Sequence, residues 1–172
     1  MNNRLDRGVF VDRLQNAITR AAKDGSRFAL LLVEFDQVYE VEMLPSWPAW
    51  DRFLKTAAPG VQPSPPEDGA VIRISSNGFA IILEQIASPE HAENFVSAIA
   101  AHLHVTDADD VVQHPGIGVC VFPEDGVDEL SLLSRARSAL QRARASGGER
   151  NSRSAIRVAD AEFPRNIAGS AR

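Results

Sequence analysis

The acidic side chains that follow the most apolar segment of the chain are its best candidates for metal chemistry. The apolar run Phe28–Val33 leads into Glu34, Asp36, Glu40 and Glu42. Carboxylate oxygens are the ligands that Mg²⁺ and Ca²⁺ prefer in proteins. These four residues therefore form a candidate site for weak cation binding, and a solvated acidic rim is the alternative interpretation.

The remaining titratable and nucleophilic residues give weaker indications of chemistry. His102 and His104 are two positions apart, so on a helix they would point in different directions, which does not suit two ligands of one metal. Cys120 lies within an apolar run, which favours a small buried side chain. The acidic segment 107–110 lacks the glycine and the terminal glutamate of a calcium-binding loop, so we expect a solvated turn there.

Length and composition indicate a single globular domain. The chain has 172 residues and a net charge of −5. It contains no apolar run near the ~20 residues that a bilayer span requires. Residues 1–13 carry charges where a secretory signal peptide would be apolar, and the single cysteine cannot form an internal disulfide. We therefore expect a cytoplasmic protein without a membrane span.

The charge is distributed unevenly along the chain. Residues 1–134 have a net charge of −11, whereas residues 135–172 hold nine arginines and three acids, a net charge of +6. A basic end of this kind suits an acidic partner, and a solvated helix face followed by a loose tail is the alternative interpretation. Nucleic acid is not the expected partner, because no aromatic side chains lie between these arginines to stack on bases.

Hydrophobic periodicity predicts helices that alternate with apolar strands. The predicted helices are Asp6–Lys23, Ala49–Ala58, Pro89–Leu103 and a last helix that begins after Asp128 and ends at Gly147-Gly148. The predicted strands are Phe28–Phe35, Val71–Ser75, Phe79–Ile86, Gly116–Phe122 and Ala155–Ala159. This order predicts an α+β fold, an α/β sandwich in which helices pack on a central sheet.

Two of the predicted strands form a hairpin. Ser76-Asn77-Gly78 joins the runs Val71–Ser75 and Phe79–Ile86. Asn-Gly between two such runs is a strong hairpin signal, because both residues tolerate positive φ. We therefore expect a hairpin whose turn uses this property of Asn77 and Gly78.

Four segments of the chain resemble, in order and spacing, the GGDEF domain family of bacterial diguanylate cyclases. Segment 71–83 resembles the signature "ARxGGDEFAVLL", and segments 5–14, 30–36 and 116–150 resemble "LxNRRxFxxxL", "LLLxDxD" and "SIGIAxxPxDG…ALYxAKxxGRNR". The resemblance implies a nucleotide-cyclase-like central sheet with flanking helices and a hairpin at the former active site. We expect one degenerate domain over residues 1–160 and a flexible C-terminal tail over residues 161–172.

The signature itself is degenerate in this chain. In the family, two glycines let the nucleotide approach the backbone, the third letter ligates metal, and the fourth is an acid assigned to catalysis. The resemblance places Ser75, Ser76, Asn77 and Gly78 at these positions, and only Phe79 keeps the family identity, as a core residue. It therefore implies that no catalytic residue remains.

Other substrate-facing positions of the family are also changed. The metal-binding aspartate falls on Glu34, the phosphate-contacting lysine on Tyr39, and the guanine-reading asparagine on Glu42, whereas Asp51 stays in register. The resemblance thus implies a vestigial cleft at Tyr39, Glu42 and Asp51 and a vestigial metal site at Glu34 and Asn77. No cofactor is expected, and Mg²⁺ would bind only where residual nucleotide binding survives.

The retained scaffold and the altered site predict a catalytically inactive GGDEF-like domain that acts as a regulatory protein-interaction module in bacterial cyclic-di-GMP signalling. Two alternatives remain. One is a sensor that binds GTP or cyclic di-GMP without turnover, and the other is a weak residual diguanylate cyclase.

Two groups of residues are candidates for protein contacts. Trp47 and Trp50 replace a polar segment of the family, and tryptophan is enriched at interface hot spots; packing of a short helix is the alternative. Arg135 and Arg142 lie on the basic last helix. The expected partner is another signalling protein, either a phosphodiesterase-type domain (EAL or HD-GYP) or a cyclic-di-GMP effector, and a homodimer is a further possibility.

Overall fold

The computed structural model describes residues 7–35, 62–63, 71–102, 105–106, 112–113, 115–145 and 156–158. Side chains are described within residues 7–35, 72–97 and 115–145. The predicted helix at residues 49–58, the end of the last helix at Gly147-Gly148 and the predicted C-terminal tail lie outside the described residues.

The described chain contains three helices and eight strands. The helices are α1 (Arg7–Asp24), α2 (Pro89–His102) and α3 (Glu129–Ala145). The strands are β1 (Phe28–Glu34), β2 (Gln62–Pro63), β3 (Val71–Ser75), β4 (Gly78–Glu84), β5 (Val105–Thr106), β6 (Val112–Gln113), β7 (Gly116–Phe122) and β8 (Ile156–Val158). The predicted helices and long strands that fall in this part of the chain are present within one or two residues. The strands β2, β5 and β6 were not predicted, because two-residue strands carry no readable alternation.

Six strands form the main sheet. The order is β2-β4-β1-β7-β8, and β3 also pairs with β4, while β5 and β6 form a separate ribbon. Strand β1 lies between β4 and β7 and is antiparallel to both. Strand β8 runs parallel to β7. The helices and this sheet confirm the predicted α+β fold.

The central strand β1 is apolar from Phe28 to Val33, and these residues are buried because both faces of the strand are covered. Its alternate residues Phe28, Leu30 and Leu32 belong to a core that also includes side chains of α1 and α3. Glu34 continues the same alternation, so it lies on the face that α1 and α3 cover. The intervening residues point to the opposite face, where α2 approaches β7 and β8.

The helix ends follow local sequence signals. Helix α1 ends at Gly25, which has a positive φ of 71° and donates its backbone N–H to the carbonyl of Ala21. At the start of α3, the Asp128 carboxylate accepts a 2.9 Å hydrogen bond from the backbone N–H of Ser131. Asp128 is therefore the N-cap of α3, which confirms the prediction that this helix begins after Asp128.

Helix α3 packs very closely on β7. A Cβ added at Gly118 would lie 2.2 Å from the carbonyl oxygen of Ala136 and 2.5 Å from the backbone nitrogen of Leu140. The missing side chain therefore sets the distance between α3 and the sheet, and it brings the last turn of α3 over the end of β1. Among the described residues, no helix is both long and apolar enough for a membrane crossing.

Candidate functional site

Four elements meet at Glu34, the last residue of β1. Glu34 is paired with Gly78 of β4 on one side and with Gly116 of β7 on the other. The end of α3 approaches the same place through Arg144. Glu34, where the resemblance predicts a vestigial metal ligand, therefore lies next to the hairpin.

The hairpin is present, but its turn differs from the predicted one. The turn residues are Ser76 and Asn77, and Gly78 is the first residue of β4, paired with Ser75. Among the described residues, positive φ occurs at Gly25 and Gln85, and neither Asn77 nor Gly78 has it. The expectation that positive φ at these two residues makes the turn is therefore wrong.

Hydrogen bonds from Arg73 and an irregular strand register accompany this turn. The Arg73 guanidinium donates from Nε to the carbonyl of Ser75 at 3.1 Å and from Nη2 to the carbonyl of Ser76 at 2.7 Å. The pairing register of β3 with β4 shifts between Arg73 and Ser75, as it does at a β-bulge. A bulge increases local twist, so the hairpin can close without a mirror-image turn.

The side chain of Asn77 points back toward the end of β1. Its Nδ2 donates to the carbonyl oxygen of Phe35 at 2.7 Å and to Oε1 of Glu34 at 3.3 Å. Its Oδ1 accepts a 3.1 Å hydrogen bond from the hydroxyl of Ser75. The backbone carbonyl of Asn77 also accepts a 2.8 Å hydrogen bond from the N–H of Phe35. Asn77 therefore joins the hairpin to β1 through both its backbone and its side chain.

Glu34 has a cationic partner from α3. Nη1 of Arg144 forms an ion pair with Oε1 of Glu34. A Cβ at Gly116 would lie 2.7 Å from Cγ of Arg144 and 3.4 Å from its Cδ. The aliphatic stem of Arg144 thus crosses β7 over the bare backbone of Gly116, the residue paired with Glu34. Both side chains are partly exposed, so the pair stabilises the fold by no more than about 1 kcal/mol.

Gly78 has too little room for an ordinary side chain. A Cβ at this position would lie 2.8 Å from the Ser75 hydroxyl oxygen and 3.0 Å from the carbonyl oxygen of Val33. Both contacts are closer than normal van der Waals separation. The hydroxyl of Ser75, a residue that the resemblance places at a glycine position of the family signature, thus lies next to where a side chain at position 78 would begin.

These residues do not fit a divalent cation. The resemblance places metal ligands at Glu34 and Asn77, but Asn77 presents its NH₂ group rather than an oxygen to Glu34. The Glu34 carboxylate is already paired with a guanidinium. Within the described ranges, no group of three or more His, Cys, Asp or Glu side chains is arranged to hold a metal ion.

The other predicted residues are placed as follows. Phe79 is buried, 2% exposed, and its ring lies 6.4 Å from that of Phe35, so its assignment to the core is confirmed. Arg135 is exposed and Arg142 is half-buried on α3. Asp36, Tyr39, Glu40, Glu42, Trp47, Trp50 and Asp51 lie outside the described residues.

Cys120 is a buried side chain on the face of β7 that α3 covers. Its thiol donates to the carbonyl of Leu132 at 3.3 Å, and burial raises its pKa. A neutral, enclosed thiol is a poor nucleophile. The prediction that Cys120 is a small core residue is confirmed.

Arg73 and Arg144 are the site residues that sequence reasoning missed. Arg144 lies in the basic segment, which indicated a surface for an acidic partner rather than a contact with Glu34. The sequence did contain a signal for the approach of α3, because Gly116 and Gly118 are two positions apart and so lie on the same face of their strand. Such a pattern indicates close approach of another element.

Comparisons with known sequences match most of this chain to one family. A sequence model described as "Diguanylate cyclase, GGDEF domain" matches residues 3–150. Diguanylate cyclase TpbB of Pseudomonas aeruginosa (strain UCBPP-PA14) is 26% identical over 164 residues, which are 93% of this chain and 37% of TpbB. The bifunctional diguanylate cyclase/cyclic di-GMP phosphodiesterase MucR of Pseudomonas aeruginosa is 24% identical over 145 residues, 83% of this chain and 21% of MucR. The chain spans less than two-fifths of the length of these relatives.

Solved structures share the fold. The GGDEF domain of DgcB from Caulobacter crescentus, in complex with c-di-GMP, has a TM-score of 0.58 and 16% identity, covering 90% of this chain and 88% of that one. A sensory box/GGDEF family protein from Caulobacter crescentus CB15 has a TM-score of 0.53 and 22% identity, covering 82% of this chain and 93% of that one.

Proposed function

We propose that this chain, which belongs to the GGDEF domain family, is a catalytically inactive member of that family. In this proposal it acts in the cytoplasm as a regulatory protein-interaction module of bacterial cyclic-di-GMP signalling. The observation that supports the loss of catalysis is the arrangement at Glu34. Its carboxylate accepts from Asn77 and pairs with Arg144, so protein groups occupy the carboxylate that metal chemistry would need.

The chemistry of cyclase activity explains why this arrangement matters. Joining two nucleoside triphosphates needs carboxylates that hold divalent metal against the phosphates, together with a backbone that the nucleotide can approach. Asn77 contributes no negative charge, and Gly78 contributes no side chain. Ser75 and Ser76 place hydroxymethyl groups where the family has bare backbone. Loss of a single electrostatic partner typically lowers a rate by ~10²–10³, and here several are lost together.

Helix α3 supports the protein-interaction part of the proposal. It contains four arginines and one acid, Glu129. Arg135 and Arg142 are seven positions apart, which places them two turns apart on the same side of the helix. A signalling partner with an acidic surface, such as an EAL or HD-GYP domain or a cyclic-di-GMP effector, would complement this side. Trp47 and Trp50 are the second proposed contact, and self-association is the alternative to a different partner.

The loss of catalysis is tested by incubating the protein with GTP and either Mg²⁺ or Mn²⁺. We expect no cyclic di-GMP above a no-protein control, measured by mass spectrometry, whereas an intact GGDEF cyclase under the same conditions provides the positive control. Turnover comparable to that cyclase would refute the proposal. Calorimetric titration with GTP and with cyclic di-GMP separates the sensor alternative, since binding without turnover would favour it.

The partner is tested with purified EAL, HD-GYP and effector proteins in a binding assay. Rim charges mainly change the association rate and its salt dependence, whereas a buried tryptophan dominates affinity. We therefore expect Trp47→Ala and Trp50→Ala to weaken binding strongly and Arg135→Glu with Arg142→Glu to slow association. Arg7→Glu, an exposed charge reversal on α1, is the control. Unchanged binding by all folded variants, checked by circular dichroism, would refute both contact assignments.

A further inference from the structure

The amide nitrogen of Asn77 lies where two oxygens of β1 converge. The carbonyl oxygen of Phe35 is 2.7 Å away and Oε1 of Glu34 is 3.3 Å away. Both oxygens are acceptors, so the group between them must donate hydrogen bonds or be a cation. An amide NH₂ has two hydrogens, and here it supplies one to each oxygen.

The orientation of this amide is set by the two acceptor oxygens of β1. The Ser75 hydroxyl donates to Oδ1 of Asn77 at 3.1 Å. If the amide were reversed, Oδ1 would face two acceptors and NH₂ would face the hydroxyl, and two hydrogen bonds to β1 would be lost. The Ser75 hydroxyl, which can donate or accept, completes the network by donating to Oδ1 in the orientation that the two β1 oxygens fix.

A neutral amide cannot balance the charge of Glu34, and Arg144 does so. Its guanidinium pairs with the same Oε1 atom that accepts from Asn77. The stem of Arg144 lies against Gly116 and beside Leu140, since a Cβ at Gly116 would meet Cγ of Arg144 at 2.7 Å and Cδ1 of Leu140 at 3.2 Å. The Arg144 side chain thus reaches Glu34 from α3 by crossing β7 at Gly116.

We propose that the Asn77 amide and the Arg144 guanidinium together replace a divalent cation at the end of β1, forming a metal-independent clasp between the hairpin, β1 and α3. The clasp consists of Glu34, the Phe35 carbonyl, Ser75, Asn77 and Arg144. The Asn77 amide occupies the position between the two oxygens, and the Arg144 guanidinium supplies the positive charge. A divalent cation would have to displace both groups before it reached Oε1 of Glu34.

The clasp predicts how the melting temperature responds to cations. For the full chain, the melting temperature should be the same with Mg²⁺, Mn²⁺ or EDTA. Asn77→Asp places a carboxylate against two acceptors, so we expect a lower melting temperature that Mn²⁺ restores. Asn77→Ala should also lower it, and Mn²⁺ should not restore it. Stabilisation of the unmodified chain by Mn²⁺, or equal rescue of both variants, would overturn the proposal.

Arg144 is tested separately, with a measurement that does not depend on Asn77→Asp being folded. Mn²⁺ broadens amide resonances close to where it binds. We expect no selective broadening at Glu34 and Phe35 in the unmodified chain or in Arg137→Gln, an exposed control on the same helix. Arg144→Gln should show selective broadening at these two amides, because the carboxylate has lost its counter-ion. If Arg144→Gln behaves like Arg137→Gln, Arg144 does not take the place of a cation.

The clasp concerns the same site as the proposed loss of catalysis, and the two can fail separately. If the unmodified chain binds Mn²⁺ at Glu34 and makes no cyclic di-GMP, the clasp is refuted and the proposed function stands. If the unmodified chain makes cyclic di-GMP, the proposed function is refuted whatever the cation measurement gives.

Discussion

Adding a methyl group at Gly78 should destabilise the protein, although Gly→Ala in a strand ordinarily stabilises. The new Cβ would lie 2.8 Å from Oγ of Ser75 and 3.0 Å from the carbonyl oxygen of Val33. Overpacking of this kind costs about 1–3 kcal/mol. Removal of the glycine recovers ~0.5–1 kcal/mol of backbone entropy. The net expectation for Gly78→Ala is a loss of about 1–2 kcal/mol.

A second substitution tests whether Ser75 is the cause. In the Ser75→Gly background the closer of the two contacts is gone, and only the Val33 carbonyl remains near the new Cβ. Gly78→Ala should then be almost neutral, which gives a coupling of about 1–2 kcal/mol in a double-mutant cycle. The assay is chemical denaturation of the four proteins, with equal m-values as evidence that the denatured states are comparable.

Gly8→Ala is the matched control for this cycle. Gly8 lies in α1, and a Cβ there meets no atom within 4 Å, so stability should stay the same or rise by up to about 1 kcal/mol. The reasoning is refuted if Gly78→Ala behaves like Gly8→Ala, or if its cost is the same with and without Ser75.

The same contact limits how the family signature can be rebuilt. A glutamate at position 78 begins with the same Cβ, so Asn77→Asp with Gly78→Glu should fold less stably than the variant that also carries Ser75→Gly. Neither variant should make cyclic di-GMP from GTP, because Tyr39 and Glu42 still occupy the phosphate and guanine positions that the family resemblance indicates. Turnover by the double variant would show that those two assignments are wrong.

Three further outcomes follow from the packing. Gly118→Ala should lower the free energy of unfolding by about 3 kcal/mol or more, since its Cβ would meet backbone atoms of α3 that cannot rotate away. Native Cys120 should resist alkylation at mildly alkaline pH and react after denaturation, because burial raises its thiol pKa. The hydrogen bond from the Ser131 backbone lowers the pKa of Asp128, so the destabilisation by Asp128→Ala should be complete at neutral pH. It should shrink as the pH falls below the ordinary aspartate value of 3.8, measured by thermal denaturation across pH.

The local sequence determined the elements of the fold to a large extent. Apolar periodicity placed α1, α2 and α3, and unbroken apolar runs placed β1 and β7, because burial of these faces decides secondary structure more strongly than single-residue propensity. Gly25 and Asp128 lie at helix ends, where positive φ and an N-cap oxygen are properties of one residue and its immediate neighbours. Short strands such as β2 depend on pairing with a distant strand and gave no local signal.

The contacts at the site could not be predicted from neighbouring residues in the sequence. The pair Asn77-Gly78 correctly predicted a hairpin, but neither residue has the positive φ on which that prediction relied. A side chain at position 78 would crowd the Ser75 hydroxyl and the Val33 carbonyl, and the carbonyl is 45 residues away in the chain. Steric exclusion between segments depends on strand register, and a single sequence does not encode register in any short window.

The arginines illustrate the same limit for charge. The sequence by itself determined that the chain ends in a basic segment and that Glu34 ends an apolar strand. Only the tertiary structure decided that Arg144 meets Glu34, because that contact depends on Gly118 letting α3 approach β7 and on Gly116 leaving the path across the strand open. Charge composition is a sum over residues, whereas an ion pair requires two particular atoms within a few ångströms, and close packing between distant segments is what brings them there.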